Sequence, residues 1–272
     1  MRRQAAFLVV ILFLFLILSS NSDALPQAPP PDRVQVGPPV RRVEPPSPTA
    51  SAEELEMRGD ELRGQKAYAD AMDYFRAALV KNPNNPTVYN KMGIVELQVF
   101  HLKAATKDFE RAIKLKRDFA DAHNNLAVVY YEQKKYGKAI KLYTKAINTD
   151  GNSASYFSNL GAAYFAKKEF EKATLAYTHA IQLDPDIFER TSRTGVAAQL
   201  PSPEDRARYN YTMAKLYAKI GLTERSLQFL RRAMEEGYKD IRMVYKDSEF
   251  STLRKDPRFA QLMAAKPPAI PE

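Results

Sequence analysis

The sequence contains no cysteine, and this absence excludes several kinds of chemistry. Disulfide bonds, thiol nucleophiles, cysteine metal sites and a lipid-modified N-terminal cysteine are all ruled out. Histidine is scarce as well, with three residues in the chain. His101, His123 and His179 fall at unrelated positions and do not form a ligand set, so the sequence predicts no bound metal.

Signatures of common catalytic sites are also missing. The chain has no Gly-rich phosphate loop, no G-x-S-x-G and no H-E-x-x-H. Nearly every residue belongs to a repeat, a linker or a cap, which leaves no room for a catalytic domain of ordinary size. We therefore expect a protein that is not an enzyme, with no cofactor and no small-molecule substrate.

The chain begins with a short hydrophobic run instead of a long one. Arg2 and Arg3 precede an uninterrupted apolar stretch over residues 5–18, which is shorter than the ~20 residues of a comfortable bilayer span. Ser22 and Ala24 place small residues where a signal peptidase reads them. Residues 1–24 are interpreted as a signal peptide cleaved after Ala24. The alternative is an uncleaved anchor that tethers the protein to the inner membrane through residues 5–20. Either form predicts an exported, periplasmic protein.

Residues 25–50 have a different composition, with nine of the 18 prolines of the chain. Such a stretch cannot bury a core and favours an extended polyproline II geometry. At ~3.1 Å per residue it could separate the following domain from a membrane by roughly 80 Å. We predict a disordered linker, and the alternative is a ligand for a proline-reading domain.

Four alanines then recur at one constant interval: Ala71, Ala105, Ala139 and Ala173. Each is followed by an aromatic residue four positions later and by a second alanine seven positions later. These spacings put all three side chains on one face of a helix, with small residues where another helix approaches. A fixed period of this kind indicates stacked repeats.

The repeat units are 52–85, 86–119, 120–153 and 154–187. The last is the most complete, with Gly161 and Tyr164 on a first helical stripe, Ala173 and Tyr177 on a second, and Pro185 where the second helix should end. This pattern resembles the tetratricopeptide repeat (TPR), a helix-turn-helix unit of about 34 residues. The resemblance implies an all-α fold, an α-solenoid of repeats over residues 51–187. Mild departures from the family pattern occur at Arg58, Glu96, Arg117, His123 and Gly151.

Local signals support this register and extend it. Ser51 with Glu54, Asn85 with Pro86, and Ser153 are expected helix N-caps. A fifth, degenerate repeat is predicted at 207–240 and capping helices with a tail at 241–272, where Asp256 and Pro257 would begin a helix. Residues 188–206, between the fourth and fifth repeats, have no helical period. They are interpreted as a tolerated surface loop or as a loop that folds over the groove.

The resemblance also implies a function, the binding of a partner protein or peptide in a concave groove lined by the first helix of each unit. The candidate groove residues are Glu56, Asp60, Asn90, Asn124, Tyr131, Phe165, Arg208, Tyr211, Lys215 and Lys219. They predict an acidic end, an aromatic middle and a basic far end. The alternative is that acids merely suit the first turns of helices and that a terminal repeat is polar anyway. Chaperone-binding TPR domains clamp a carboxylate with a lysine and an asparagine where this chain has Glu56 and Asp60, which disfavours that role.

Positive charge exceeds negative charge, for a formal net charge of +9. The excess is assigned to the outer helices, as in Lys134, Lys135, Lys138, Lys141 and Lys145. This surface is either an ordinary solvated face or a site for anionic lipid or polymer. Nucleic acid is not an expected partner of an exported protein without a nucleic-acid motif. Two hypotheses follow: an envelope scaffold that binds through its groove, and an envelope-surface factor that binds through its basic convex face.

Overall fold

A computed structural model describes residues 43–188, 200 and 202–265. The predicted signal peptide or anchor, most of the predicted linker, most of the 188–206 insertion and the C-terminal tail lie outside these residues. Within the described residues, no helix has the length and apolar character needed to cross a membrane.

The described chain consists of helices and turns, without a β-strand among them, as the all-α prediction requires. Ten of the helices form five consecutive hairpins. The first helices of the hairpins are α1 (Ala52–Gly64), α3 (Pro86–Gln98), α5 (Ala120–Glu132), α7 (Ala154–Ala166) and α9 (Pro203–Lys219). The second helices are α2 (Tyr68–Lys81), α4 (Leu102–Leu115), α6 (Tyr136–Thr149), α8 (Phe170–Leu183) and α10 (Thr223–Glu235).

The alanine and aromatic positions of the period form the contact inside each hairpin. Ala173 and Tyr177 of α8 are buried, and the tyrosine ring fills the space left by Gly161 of α7. A Cβ atom at Gly161 would lie 2.5 Å from the Tyr177 ring, and the first two hairpins repeat the arrangement with a glycine opposite a phenylalanine. The sequence period therefore sets which faces of the two helices meet.

The turn inside each hairpin has one conformation that repeats with the same period as the alanines. Lys66, Phe100, Lys134 and Lys168 have positive φ angles of 58 to 62°, and Gly221 has the corresponding role in the fifth hairpin at 80°. The next amide closes the turn by donating to a carbonyl of the preceding helix, as His101 N does to Glu96 O at 2.8 Å. Lys134 therefore lies in a turn and not on an outer helix, which corrects its predicted place.

The predicted helix starts are largely confirmed. Ser51 and Glu54 form a reciprocal capping box, with the Glu54 amide 3.1 Å from the Ser51 hydroxyl. Asn85 accepts from the Thr87 amide at 2.9 Å and precedes Pro86. Ser153 occupies its predicted N-cap position, but its hydroxyl bonds to the hydroxyl of Ser155 and not to a backbone amide.

Both ends of the helical array are covered. Residues 43–50, which the sequence assigns to a disordered linker, contact α2: Tyr74 Oη donates to Glu44 O at 3.1 Å, and Lys81 Nζ to Pro48 O at 2.7 Å. The fifth hairpin starts earlier than predicted. Helix α9 begins at Pro203, inside the predicted 188–206 insertion, and Ser202 caps it.

The C-terminal segment packs on the fifth hairpin. It comprises three short 3-10 helices (Ile241–Tyr245, Ser248–Phe250 and Leu253–Lys255) and α11 (Pro257–Ala265). Phe250 and Phe259 are buried in one apolar cluster with residues of α9 and α10. This segment therefore removes apolar surface of the last repeat from water, as a solenoid end requires.

Candidate functional site

The first helices of neighbouring hairpins face one another, and their shared surface, the first-helix face, carries a row of amide side chains. Asn125 donates to Asn90 at 3.1 Å, Asn159 donates to Asn124 at 3.0 Å, and Asn124 donates to Asn125 at 3.2 Å. Asn90 and Asn124 are 6% and 4% exposed. These two predicted groove residues therefore join consecutive repeats and present little surface to a ligand.

The predicted acidic end exists, but a basic residue compensates it. Lys91 Nζ lies 2.5 Å from both Glu56 and Asp60, and Arg63 is a second partner of Asp60 at 3.0 Å. Burial acts to lower the pKa of Lys91, but hydrogen bonds to Asp60 and Glu56 outweigh it and raise that pKa. Lys91 was not a candidate from the sequence, although it follows a predicted groove position directly.

The predicted aromatic middle is wrong, because both side chains are core residues. Tyr131 has no exposed surface and packs against Tyr136, with ring centroids 5.4 Å apart. Phe165 packs edge-on against Phe170 and Tyr209 at 5.1 and 5.7 Å. Neither ring lines an open groove.

The C-terminal segment occupies the predicted basic end. Lys215 Nζ lies 3.0 Å from Asp247 and 3.4 Å from Glu249, and Tyr211, which is buried, donates to Asp247 at 2.9 Å. The guanidinium of Arg208 lies over the ring of Phe170 at 4.7 Å, and Lys219 is exposed. The charge of Lys215 is therefore compensated by acids of the same chain, as Lys91 compensates Glu56 and Asp60 at the acidic end.

An open cleft of about 520 Å³ remains on the first-helix face of the first three hairpins. It lies between the C-terminal ends of α1, α3 and α5. Its lining residues are Arg63, Gly64, Lys66, Tyr68, Ile94, Leu97, Gln98, Phe100, Asn125, Val128 and Glu132. Ile94 and Val128 were not candidates, but they occupy the ninth position of their units, as Asp60 and Lys215 do in theirs. Apolar residues at that position are the sequence signal for this cleft.

Phe100 is the most unusual residue of the cleft. Its side chain is 64% exposed, and its backbone is left-handed with a φ of 62°. A left-handed conformation costs a non-glycine residue ~1 to 2 kcal/mol. The equivalent turn positions of the other hairpins hold lysine or glycine. An aromatic ring here gains little from packing within the described chain.

A half-buried acidic pair distinguishes the second hairpin. Burial and, after it, the neighbouring carboxylate of Glu96 raise the pKa of Asp108 to about 6. Glu96 itself is 2.9 Å from His101 Nδ1. The equivalent pairs are apolar in the third and fourth hairpins, with Tyr130 and Leu142 in the third. Burial and the Glu96 charge therefore disfavour the ionised form of Asp108 in this hairpin.

Histidines do not gather with acids into a larger site. The described residues include no group of three or more His, Asp or Glu that could hold a metal ion. His123 is 2% exposed with its Nε2 atom 3.0 Å from Arg117 O, and burial lowers its pKa. It is a packed core residue.

Five helical hairpins, four of them at one strict sequence period, define an α-solenoid of helix-turn-helix repeats. The sequence profile described as "Tetratricopeptide repeat" matches residues 118–186, and the profile described as "TPR repeat" matches residues 101–134. Residues 101–186 are therefore similar to tetratricopeptide repeats in sequence. A comparison with curated proteins gives no match.

Solved structures with a similar arrangement include TPR proteins. A crystal structure of MamA is 20% identical, with 68% of this chain and 96% of that chain covered at a TM-score of 0.47. MamA from Desulfovibrio magneticus RS-1 is 17% identical, with coverages of 70% and 97% and a TM-score of 0.49. TTC0263, a thermophilic TPR protein in Thermus thermophilus, is 19% identical, with coverages of 79% and 100% and a TM-score of 0.48.

Proposed function

We propose that this protein is a non-catalytic interaction scaffold of the cell envelope that binds a segment of another protein on its first-helix face. The observation that carries the proposal is the cleft of about 520 Å³, which α1, α3 and α5 form together. Its lining combines apolar side chains with amides, a composition typical of ligand sites. The hydrophobic N-terminal run and the Pro-rich stretch support a location outside the cytoplasm, on a spacer.

The proposed binding surface is restricted to the first three repeats. Lys215 and Tyr211 at the fifth repeat are engaged by Asp247 of the C-terminal segment. Tyr131 and Phe165 are packed in the core. A partner bound to the first-helix face would therefore meet Gln98, Ile94 and Val128, and not the basic far end that the sequence favours.

A bulky substitution in the cleft tests the proposal. Gln98 lines the cleft and Gln182 is exposed on α8, so Gln98→Trp and Gln182→Trp add the same bulk at two different surfaces. The full-length proteins, purified from envelope extracts, are compared for co-purifying proteins by quantitative mass spectrometry. We expect a partner that Gln98→Trp depletes and Gln182→Trp retains. Equal recovery of all partners by the two variants would refute binding at the cleft.

One observation favours the second hypothesis, a site for anionic lipid or polymer on the outer helices. Helix α6 contains no acidic residue, and Lys138, Lys141 and Lys145 on it are exposed. Flotation with vesicles containing phosphatidylglycerol tests this surface. Charge reversal of all three lysines should stop the protein from floating with the vesicles if this surface binds anionic lipid. Unchanged flotation of that variant would refute the hypothesis.

A further inference from the structure

The left-handed turn positions form a row in which Phe100 is the exception. Successive hairpins place Lys66, Phe100, Lys134 and Lys168 at the same point of the repeat, so the four side chains follow one another along one edge of the array. All four are exposed. The lysine ammonium groups of this row make no ion pair or hydrogen bond with any described residue. One aromatic ring is thus flanked on both sides by uncompensated positive charge.

The ring also adjoins an apolar recess. Phe100 lines the cleft together with Ile94, Leu97 and Val128. Two acids close to this part of the first-helix face, Glu56 and Asp60, bind Lys91. Glu132 lines the cleft and interacts within the chain. Lys66 and Lys134 therefore place positive charge on the two sides of Phe100, next to the apolar residues Ile94, Leu97 and Val128 of the cleft.

We propose that the Phe100 cleft binds an acidic segment of a partner protein in which one large apolar side chain lies between carboxylate residues. The apolar side chain enters the cleft beside Phe100, and carboxylates on its two sides meet Lys66 and Lys134. The inference deepens the proposed function, since it names the chemistry of the segment bound on the first-helix face. It requires no terminal carboxylate, unlike the clamp of chaperone-binding TPR domains.

An anionic membrane is the other surface that such a row could meet, and the geometry disfavours it. Ile94 and Val128 lie on first helices that line a recess, which an extended side chain can enter and a flat bilayer cannot. Gln98 and Asn125 line the same recess, so it combines polar with apolar side chains. A protein segment uses all of these groups, whereas a lipid surface would use only the row of turns.

The test uses a synthetic probe and a pair of matched variants. The probe is a fluorescein-labelled peptide with one phenylalanine between two runs of glutamate, and its binding to the full-length protein is measured by fluorescence anisotropy. Phe100→Lys is expected to fold normally, because lysine already occupies this left-handed position in three other hairpins. Leu175→Lys is the control, since Leu175 on α8 has the same 64% exposure. Circular dichroism and the melting temperature verify both folds.

Phe100→Lys adds positive charge and would strengthen a purely electrostatic contact with this peptide. We expect it instead to weaken binding by at least about tenfold, as removal of an aromatic anchor does. Leu175→Lys should bind as the parent does. A phenylalanine-to-alanine peptide and a glutamate-to-glutamine peptide should each bind about tenfold more weakly to the parent.

Three outcomes would overturn the inference: unchanged or tighter binding by Phe100→Lys, equal binding of the alanine peptide, and loss of phosphatidylglycerol vesicle binding by Phe100→Lys while peptide binding is unaffected. Charge reversal of Lys66 and Lys134 together should abolish peptide binding, and the same change at Lys141 and Lys145 on α6 should not. The proposed function is tested separately by the Gln98→Trp comparison. If Gln98→Trp loses a partner that Phe100→Lys retains, binding at the cleft stands and the inference about Phe100 fails.

Discussion

Replacing Asp108 should stabilise the protein. Its pKa rises from 3.8 to about 6 because burial and Glu96 disfavour the carboxylate. Two pKa units at ~1.36 kcal/mol each set an upper limit of ~3 kcal/mol for the cost of keeping Asp108 ionised. Water still reaches this half-buried side chain and screens the effect, so ~1 to 2 kcal/mol is expected. Asp108→Leu removes that cost and adds the side chain that Leu142 supplies at the same position of the third repeat.

The dependence on pH separates this explanation from a simple gain in packing. The pKa is higher in the folded than in the unfolded protein, so ionised Asp108 destabilises the fold fully above about pH 6, and the penalty disappears as the pH falls towards 3.8. Urea unfolding followed by circular dichroism at several pH values measures it. The advantage of Asp108→Leu over the parent should be largest near neutral pH and should shrink on acidification.

Glu110→Leu on the exposed side of the same helix is the control. It should change stability little at any pH. If Asp108→Leu is less stable than the parent at neutral pH, or if its advantage does not vary with pH, the assignment of a strained acidic pair in the second hairpin is incorrect.

Two further predictions address the repeat packing and export. Gly161→Ala should lower the free energy of unfolding by ~1 to 3 kcal/mol, because its Cβ would overlap the Tyr177 ring. Gly137→Ala should not lower the free energy of unfolding, because the space around Gly137 is open. Equal urea midpoints for the two variants would contradict the close contact between Gly161 and Tyr177. A reporter active only outside the cytoplasm, fused after Ala50, should work and should be silenced by Leu12→Arg, since a charge at a hydrophobic centre costs ~2.5 to 3.5 kcal/mol. Activity that survives this change would argue against export by residues 1–24, and N-terminal sequencing of the mature protein distinguishes cleavage from an anchor.

Much of the fold is predictable from the sequence because the contacts inside a hairpin are local. An alanine, an aromatic four residues on and a second alanine seven residues on specify one helix face without reference to any distant residue. The same is true of the capping box at Ser51 and of Pro86 at the start of α3. These features depend on spacing within a single repeat.

The candidate site is less predictable because its side chains are paired across repeats. Lys91 neutralises Glu56 and Asp60 from the next repeat, and Asp247 reaches Lys215 from a segment outside the predicted repeats. The residue spacing within one repeat does not predict ion pairs between residues of different repeats. Tyr131 was a candidate from its position in the family pattern, which does not reveal that Tyr136 covers its ring.

A photo-crosslinking comparison tests the central claim most directly, namely that the first-helix face of the first three repeats binds a partner protein. A photoreactive amino acid is placed at Gln98, in the cleft, or at Gln182, on an outer helix, and full-length protein is irradiated in intact cells. We expect a discrete crosslinked protein from position 98, with a lower yield in the Phe100→Lys variant, and none from position 182. Crosslinks of the same protein from both positions, or from position 182 alone, would contradict it.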